Sequence, residues 1–105
     1  MNTRFLLAIL LGLITFTGIA LAGGDPARGQ ELSVECMDCH GEKGQGDEEV
    51  SGIAGLDESY LIEQLKAYKT GERVDEEFMA MTAEELTDQD IADLAAYYAA
   101  LERNQ

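Results

Sequence analysis

Apolar positions follow a helical period in the second half of the chain, and no stretch shows the apolar-polar alternation of a half-buried strand. The last stretch has an apolar face at helical spacing, formed by Ile91, Leu94, Ala95, Tyr98 and Leu101. Thr87 precedes this stretch, and residues 87–90 resemble a capping box. We therefore predict a C-terminal helix after Thr87 that buries this face.

A second apolar stripe lies in the middle of the chain at i, i+4 and i+7, and consists of Leu61, Leu65 and Tyr68. Asp57 or Ser59 can cap the N-terminus of this helix, and Gly71 can end it. Residues 72–82 are mostly polar and acidic, so we predict mostly loop there.

The N-terminal half combines one short helix with a long loop. Asp25 is a good N-cap and Pro26 suits a first helical position, so a short helix should run towards Cys39. Residues 41–55 contain five glycines interspersed with acids and show no apolar period, which predicts a loop able to wrap a flat ligand. The predicted fold is all-α, with three to four short helices and Gly-rich loops.

Residues 1–22 have the features of a secretory signal peptide. Arg4 precedes an apolar run over residues 5–14, and Ala20 and Ala22 form an A-x-A cleavage site. A retained membrane anchor is the alternative, because residues 5–22 carry no charge. We expect cleavage, export to the periplasm and one folded domain over residues 23–105.

The exported part is strongly acidic and small. Removing residues 1–22 takes away Arg4 and no acid, which leaves 6 basic and 21 acidic residues and a formal net charge of −15. Such a domain should repel nucleic acid and anionic lipid. Because a domain of this size has only a marginal core, it needs an additional cross-link or cofactor.

Residues 36–40 form a C-x-x-C-H sequence, the signature of covalent c-type haem attachment. Cys36 and Cys39 can reach the two vinyl groups of one porphyrin, while His40 lies beneath its iron. The chain has no other Cys or His, so a zinc site would have to use a carboxylate. A disulfide remains the other alternative, whereas a thioredoxin-like pair would need a βαβ unit.

The opposite face of the iron needs either a protein ligand or an open position. Met79 and Met81 interrupt an acidic segment, and a Met thioether paired with His raises the reduction potential and suits electron transfer. Met37 lies between the two cysteines and cannot reach across the haem. Methionines in apolar patches are more commonly packing residues.

Together these segments resemble the class I c-type cytochromes, in particular small bacterial monohaem members and the haem subunits of flavocytochrome c sulfide dehydrogenases. The resemblance rests on residues 29–32, 36–41, 53–56, 60–61, 64–68 and 86–98. In the family, the Met ligand usually lies seven residues before the position of Leu86, which implies Met79 rather than Met81. The resemblance also implies that Gly29 lets the first and last helices cross closely, against Leu94 and Tyr97.

The chain departs from the family pattern at two positions. Many members have a proline at the position of Ser51, and its backbone carbonyl accepts a hydrogen bond from the ligand histidine. With Ser51 there, the bond can survive, but the loop loses a restraint. Members also often carry an aromatic residue where this chain has Ser33, so helix packing should be thinner.

Three functions are compatible with these residues. The first is a diffusing electron carrier without enzymatic activity, whose iron cycles between ferrous and ferric and whose acidic surface meets basic redox partners. The second is a haem subunit docked on an oxidoreductase such as a flavin-dependent sulfide dehydrogenase. The third is a haem enzyme or gas sensor with a vacant iron position. The first predicts a monomer and the second a complex.

Overall fold

The computed structural model describes residues 23–103, so the predicted signal peptide lies outside the described residues. This part of the chain is all-helical, as predicted, and has no strand. None of its helices is long and apolar enough to cross a membrane. The five helices are α1 (Pro26–Leu32), α2 (Val34–His40), α3 (Glu58–Thr70), α4 (Glu77–Glu84) and α5 (Asp88–Ala100).

The predicted helix boundaries are confirmed where capping residues define them. The Asp57 carboxylate accepts from the backbone N–H of Tyr60 and is therefore the cap of α3 rather than Ser59. Gly71 ends that helix in the left-handed region, with φ of 86°. At α5 the Thr87 hydroxyl accepts from Asp90 N–H while the Asp90 carboxylate accepts from Thr87 N–H, which completes the capping box.

The prediction of three to four helices is too low, because residues 23–103 form five. Two features account for the difference. Ser33 divides the first helix into α1 and α2, and its side chain is fully buried with its hydroxyl donating to Gln30 O at 2.7 Å. The segment predicted as mostly loop contains α4, which packs on α3 and has one fully buried residue, Ala83. Because α4 also exposes apolar residues, its sequence shows no clear polar face.

Helices α1 and α5 cross closely at Gly29, as predicted. A Cβ atom on Gly29 would lie 2.6 Å from Asp93 C and 2.8 Å from Tyr97 Cβ, which is closer than atoms can approach. The contact with Tyr97 agrees with the prediction, and Asp93 provides the other close contact. The glycine therefore fixes the distance between the first and last helices.

The fully buried core is small and is surrounded by partly buried apolar side chains. Its central cluster joins α3 to α5 and consists of Leu61, Leu94, Ala95 and Tyr98. Around it pack apolar residues from the helices and the loop, including Leu32, Cys36, Ile53, Leu56 and Leu65. Because these side chains are only partly covered, the protein alone does not complete a core around them.

A charged network beneath the crossing links α1 to α5. Asp93 is 1% exposed, and its carboxylate accepts from Asp25 N at 2.7 Å, Arg28 Nη1 at 2.7 Å and Gln89 Nε2 at 2.8 Å. Arg28 also pairs with Asp90 at 2.8 Å. Burial disfavours the charged form of Asp93, but these donors outweigh it and hold the pKa of this carboxyl below its usual range.

Replacing Asp93 with Asn should destabilise the protein at neutral pH. It should also make the free energy of unfolding depend less on pH in the acid range. The charged Asp93 contributes stability above its unfolded pKa, and this contribution is lost as the pH falls through the lower folded pKa. We expect the substitution to lower the free energy of unfolding by about 2–3 kcal/mol near pH 7 and by much less near about pH 3. Urea unfolding across this pH range measures both.

Asp88→Asn is the matched control for this prediction, because Asp88 is an exposed acid on the same helix. We expect its effect on the free energy of unfolding to stay within about 0.5 kcal/mol. Equal acid sensitivity of Asp93→Asn and the unsubstituted protein would contradict the role assigned to Asp93.

Candidate functional site

Helix α2 carries all three residues of the C-x-x-C-H sequence. Cys36 and Cys39 are separate thiols, three residues apart, and therefore lie on the same side of the helix. Cys36 is partly buried against the core, Cys39 is exposed, and His40 is the last helical residue. Within residues 23–103, no three Cys, His, Asp or Glu side chains are grouped as ligands for a metal ion.

The His40 imidazole is held by the main chain of the loop. Its Nδ1 lies 2.9 Å from the carbonyl oxygen of Ser51. Because a carbonyl can only accept, Nδ1 is the donor in this bond, and Nε2 is the ring nitrogen that the bond does not use. The bond expected from the proline-bearing members of the family therefore exists here with Ser51, and it leaves Nε2 available to ligate a metal.

The loop after α2 is tied back to the end of that helix and to α5. Gly46 N donates to His40 O at 2.7 Å, and Ile53 N and Ala54 N both donate to Gly44 O, at 2.8 and 3.0 Å. Gly55 N donates to Tyr98 O at 2.8 Å. These bonds fix the loop around His40, so the Ser51 carbonyl has a defined position.

The loop glycines serve close contacts within the protein. Gly44 has φ of 70°, and a Cβ atom there would lie 2.8 Å from the Tyr98 ring. Gly46 has φ of 72°, and a Cβ atom there would lie too close to the backbone of Gly52. The observed contacts bring the loop against α5 and against itself.

The Tyr98 hydroxyl is a buried polar group beside Cys36 that the sequence did not indicate. It makes no hydrogen bond of normal geometry with any residue that the structure describes. Burial raises the pKa of this hydroxyl and also that of the Cys36 thiol, so both stay protonated at neutral pH. Tyr98 belongs to an apolar stripe, and nothing in such a pattern indicates a role for its hydroxyl.

Helix α4 separates the two candidate methionines. At 100° per residue, Met79 lies on the same face as the fully buried Ala83, four residues later, whereas Met81 points to the opposite side. Met79 is accordingly partly buried, and Met81 is 58% exposed. The structure therefore turns one methionine towards the protein and the other towards solvent.

The segment before α4 is anchored to α3 by Arg73. Its Nη1 donates to Gln64 Oε1 at 2.7 Å, its Nε donates to Asp75 Oδ1 at 2.8 Å, and its guanidinium carbon lies 4.5 Å from the centroid of the Tyr68 ring. The Tyr68 hydroxyl donates to Asp75 Oδ1 at 3.3 Å. Helix α4 has no side-chain cap of its own, so these contacts fix where it begins.

Comparison with known proteins determines the class of this chain. The Cytochrome c family profile matches residues 26–102, nearly all of the described part. The chain belongs to the cytochrome c family. Family members attach haem c covalently, so this cytochrome carries one haem with its iron and is an electron-transfer protein by class.

Two relatives show how far the likeness extends. Cytochrome c4 of Pseudomonas aeruginosa is 40% identical over 95 residues, which cover 90% of this chain and 47% of the relative. Cytochrome c-554(548) of Halomonas halodenitrificans is 40% identical over 82 residues, which cover 75% of this chain and 99% of the relative. This cytochrome thus spans about half the length of its cytochrome c4 relatives.

Solved structures confirm the fold. Acidithiobacillus ferrooxidans cytochrome c4 superposes with a TM-score of 0.70 and 32% identity, over 81% of this chain and 53% of that one. The thiosulfate dehydrogenase TsdBA from Marichromatium purpuratum gives a TM-score of 0.69 and 35% identity, over 74% of this chain and 19% of that one.

The residues present fit a covalently attached haem. Two thiols share one side of α2, an imidazole with a free Nε2 follows them, and a partly covered ring of apolar side chains surrounds the small core. A haem plate is large and apolar, so it supplies the surface that these side chains lack.

Proposed function

We propose that this cytochrome is a monohaem electron carrier with closed axial ligation. In this proposal, Cys36 and Cys39 would form the thioether bonds, and His40 and Met79 would ligate the iron. The observation that carries the proposal is the pair of orientations: the Ser51 carbonyl engages Nδ1 of His40, so that Nε2 is the nitrogen left for the iron, and α4 turns Met79 inward. Met81, exposed on the other face, is the alternative ligand.

The bound haem supplies an iron that accepts and releases one electron. The protein holds the His40 ring through the Ser51 carbonyl, which makes the imidazole a stronger donor and prevents its rotation. The apolar side chains around the core exclude water, which together with a thioether ligand raises the reduction potential. If His40 and Met79 both bound the iron, no iron position would remain for a substrate.

Carbon monoxide binding tests whether the axial positions are filled. The reduced protein should bind carbon monoxide slowly or not at all, because the gas must first displace Met79. Fast binding, followed by visible absorption after mixing, would instead identify a haem enzyme or gas sensor with a vacant position. The Met79→Ala variant is the positive control, because removing the thioether opens that position.

We further propose that the protein is exported to the periplasm and diffuses there as a monomer. The signal-peptide features of residues 1–22 and the surface of net charge −15 support this. The Halomonas halodenitrificans relative supports a self-contained domain, because the match covers 99% of its length. The partners would be redox proteins with basic surfaces, and neither nucleic acid nor anionic membrane.

The second candidate function is a haem subunit of a larger periplasmic oxidoreductase, such as a flavocytochrome c sulfide dehydrogenase. The likeness to a thiosulfate dehydrogenase favours this second function, because the matched part forms only 19% of that larger chain. Purification from the native source decides between the two. A monomer supports the diffusing carrier, whereas co-purification with a flavin-containing or other catalytic chain supports the subunit.

A further inference from the structure

The outer face of α4 exposes large apolar side chains that the proposed haem ligation does not use. Phe78 is 78% exposed and Met81 is 58% exposed. The two are three residues apart and lie on the same side of the helix, opposite the fully buried Ala83. Met79 lies on the inner side with Ala83, so Phe78 and Met81 form a separate surface, here called the outer patch.

The outer patch is surrounded along the chain by acids and contains no basic residue. From residue 74 to residue 102 the sequence has no Lys or Arg. Val74, 72% exposed, extends the apolar character towards the start of α4. Exposed acids flank the patch on both sides, namely Glu76, Glu77, Glu84 and Glu85, whereas Asp75 is already paired with Arg73.

An apolar centre with a charged rim is typical of a surface that meets another protein. A second copy of this chain would bring its own acids against these acids, and an anionic membrane would be repelled in the same way. Charge complementarity therefore favours one occupant, a protein whose basic residues surround an apolar centre.

We propose that the outer patch is the docking surface for a basic redox partner. Helix α4 places the patch within one helix diameter, about 10 Å, of Met79 on its inner side. A partner seated there lies near the iron ligand, so electrons need not leave through the exposed Cys39 edge. This inference rests on the proposed function, because it takes Met79 as the ligand.

Electron exchange with two cationic metal complexes tests the proposal in the intact holoprotein. Tris(1,10-phenanthroline)cobalt(III) is an apolar cation that imitates a basic partner with an apolar centre, and it oxidises the ferrous protein. Hexaammineruthenium(II) is a cation without an apolar surface, and it reduces the ferric protein. Stopped-flow measurements give the second-order rate constant for each.

The variant Phe78→Ser should slow oxidation by the phenanthroline complex about tenfold, because apolar contact with one aromatic side chain contributes about 1.4 kcal/mol or more. Its rate with hexaammineruthenium(II) should stay unchanged. The rim variant Glu76→Gln, Glu77→Gln should slow electron exchange with both cations and make the two rates less sensitive to salt.

Val34→Ser is the matched control, because Val34 is also an exposed apolar residue, 62% exposed, but lies on α2 close to Cys36. It should leave both rates unchanged. If Val34→Ser slows oxidation by the phenanthroline complex and the outer-patch variant Phe78→Ser does not, partners approach the thioether edge and the proposal is wrong. A dimer that the outer-patch substitution dissociates, seen by sedimentation, would also overturn it.

The test separates this proposal from the proposed function. Each variant's reduction potential and Met-to-iron absorption band are recorded first, so an altered driving force or a lost ligand is recognised. If Met79→Ala leaves the absorption band intact, the ligand assignment fails, whatever the rates of the outer-patch variant. If the band depends on Met79 but the outer-patch substitution changes no rate, only the docking proposal fails.

Discussion

Substituting Met79 with Ala should abolish the Met-to-iron absorption band and lower the reduction potential by tenths of a volt, within the span of about 0.8 V that axial ligands control. The physical reason is that a thioether favours the ferrous iron, whereas the water or hydroxide that replaces it favours the ferric iron. Visible absorption and a potentiometric titration of the purified holoprotein measure both effects.

Met81→Ala is the control for this substitution, because it removes a methionine two residues away on the exposed side of the same helix. The band should persist and the potential should change little. The opposite result, with the band lost in Met81→Ala and retained in Met79→Ala, would show that α4 turns when haem is bound. Retention of the band in both variants would contradict methionine ligation from this helix.

Gly29→Ala should strongly destabilise the packing of α1 against α5. The new Cβ would lie 2.6 Å from Asp93 C and 2.8 Å from Tyr97 Cβ, and backbone atoms cannot rotate away as a side chain could. The two helices must separate, which also weakens the bonds between Arg28 and Asp93. We expect a loss of about 3 kcal/mol or more in the free energy of unfolding, measured by urea titration of the holoprotein.

Gly71→Ala is the control for Gly29→Ala, because it adds backbone strain without a steric clash. Gly71 has φ of 86°, and no described residue would lie within 4 Å of an added Cβ. Only the left-handed conformation opposes this substitution, so the expected loss is about 1 kcal/mol. Equal losses at the two positions would mean that Gly29 matters for its backbone conformation and not for the close helix crossing.

Much of the fold could be predicted because local signals and the apolar pattern agree. Thr87 and Asp90 occur at capping-box spacing, Gly71 follows an apolar stripe, and the structure confirms both boundaries. The hydrogen bond from His40 to residue 51 could also be anticipated from the family pattern. It does not depend on the side chain at that position, because the acceptor belongs to the backbone.

The missed features depend on contacts that sequence spacing does not encode. Helix α4 has no side-chain cap and exposes Phe78 and Met81, so its sequence lacks the polar outer face by which surface helices are recognised. Arg73 fixes the start of α4 only through its contacts with α3, which required the tertiary structure. The full burial of Ser33 is likewise a feature of the tertiary structure, and a lone serine in the sequence gives no sign of it.

The crossing of α1 and α5 has a consequence for the order in which the chain can assemble. The bond from Asp25 N to Asp93 joins residues that are 68 positions apart, so the first helix acquires its partner only after almost the whole domain has been synthesised. Closing so long a loop is entropically costly and slow. Until it closes, α1 has no helix to pack against, and α2 with its two thiols directly continues from α1. During that interval the thiols remain accessible to whatever attaches the haem.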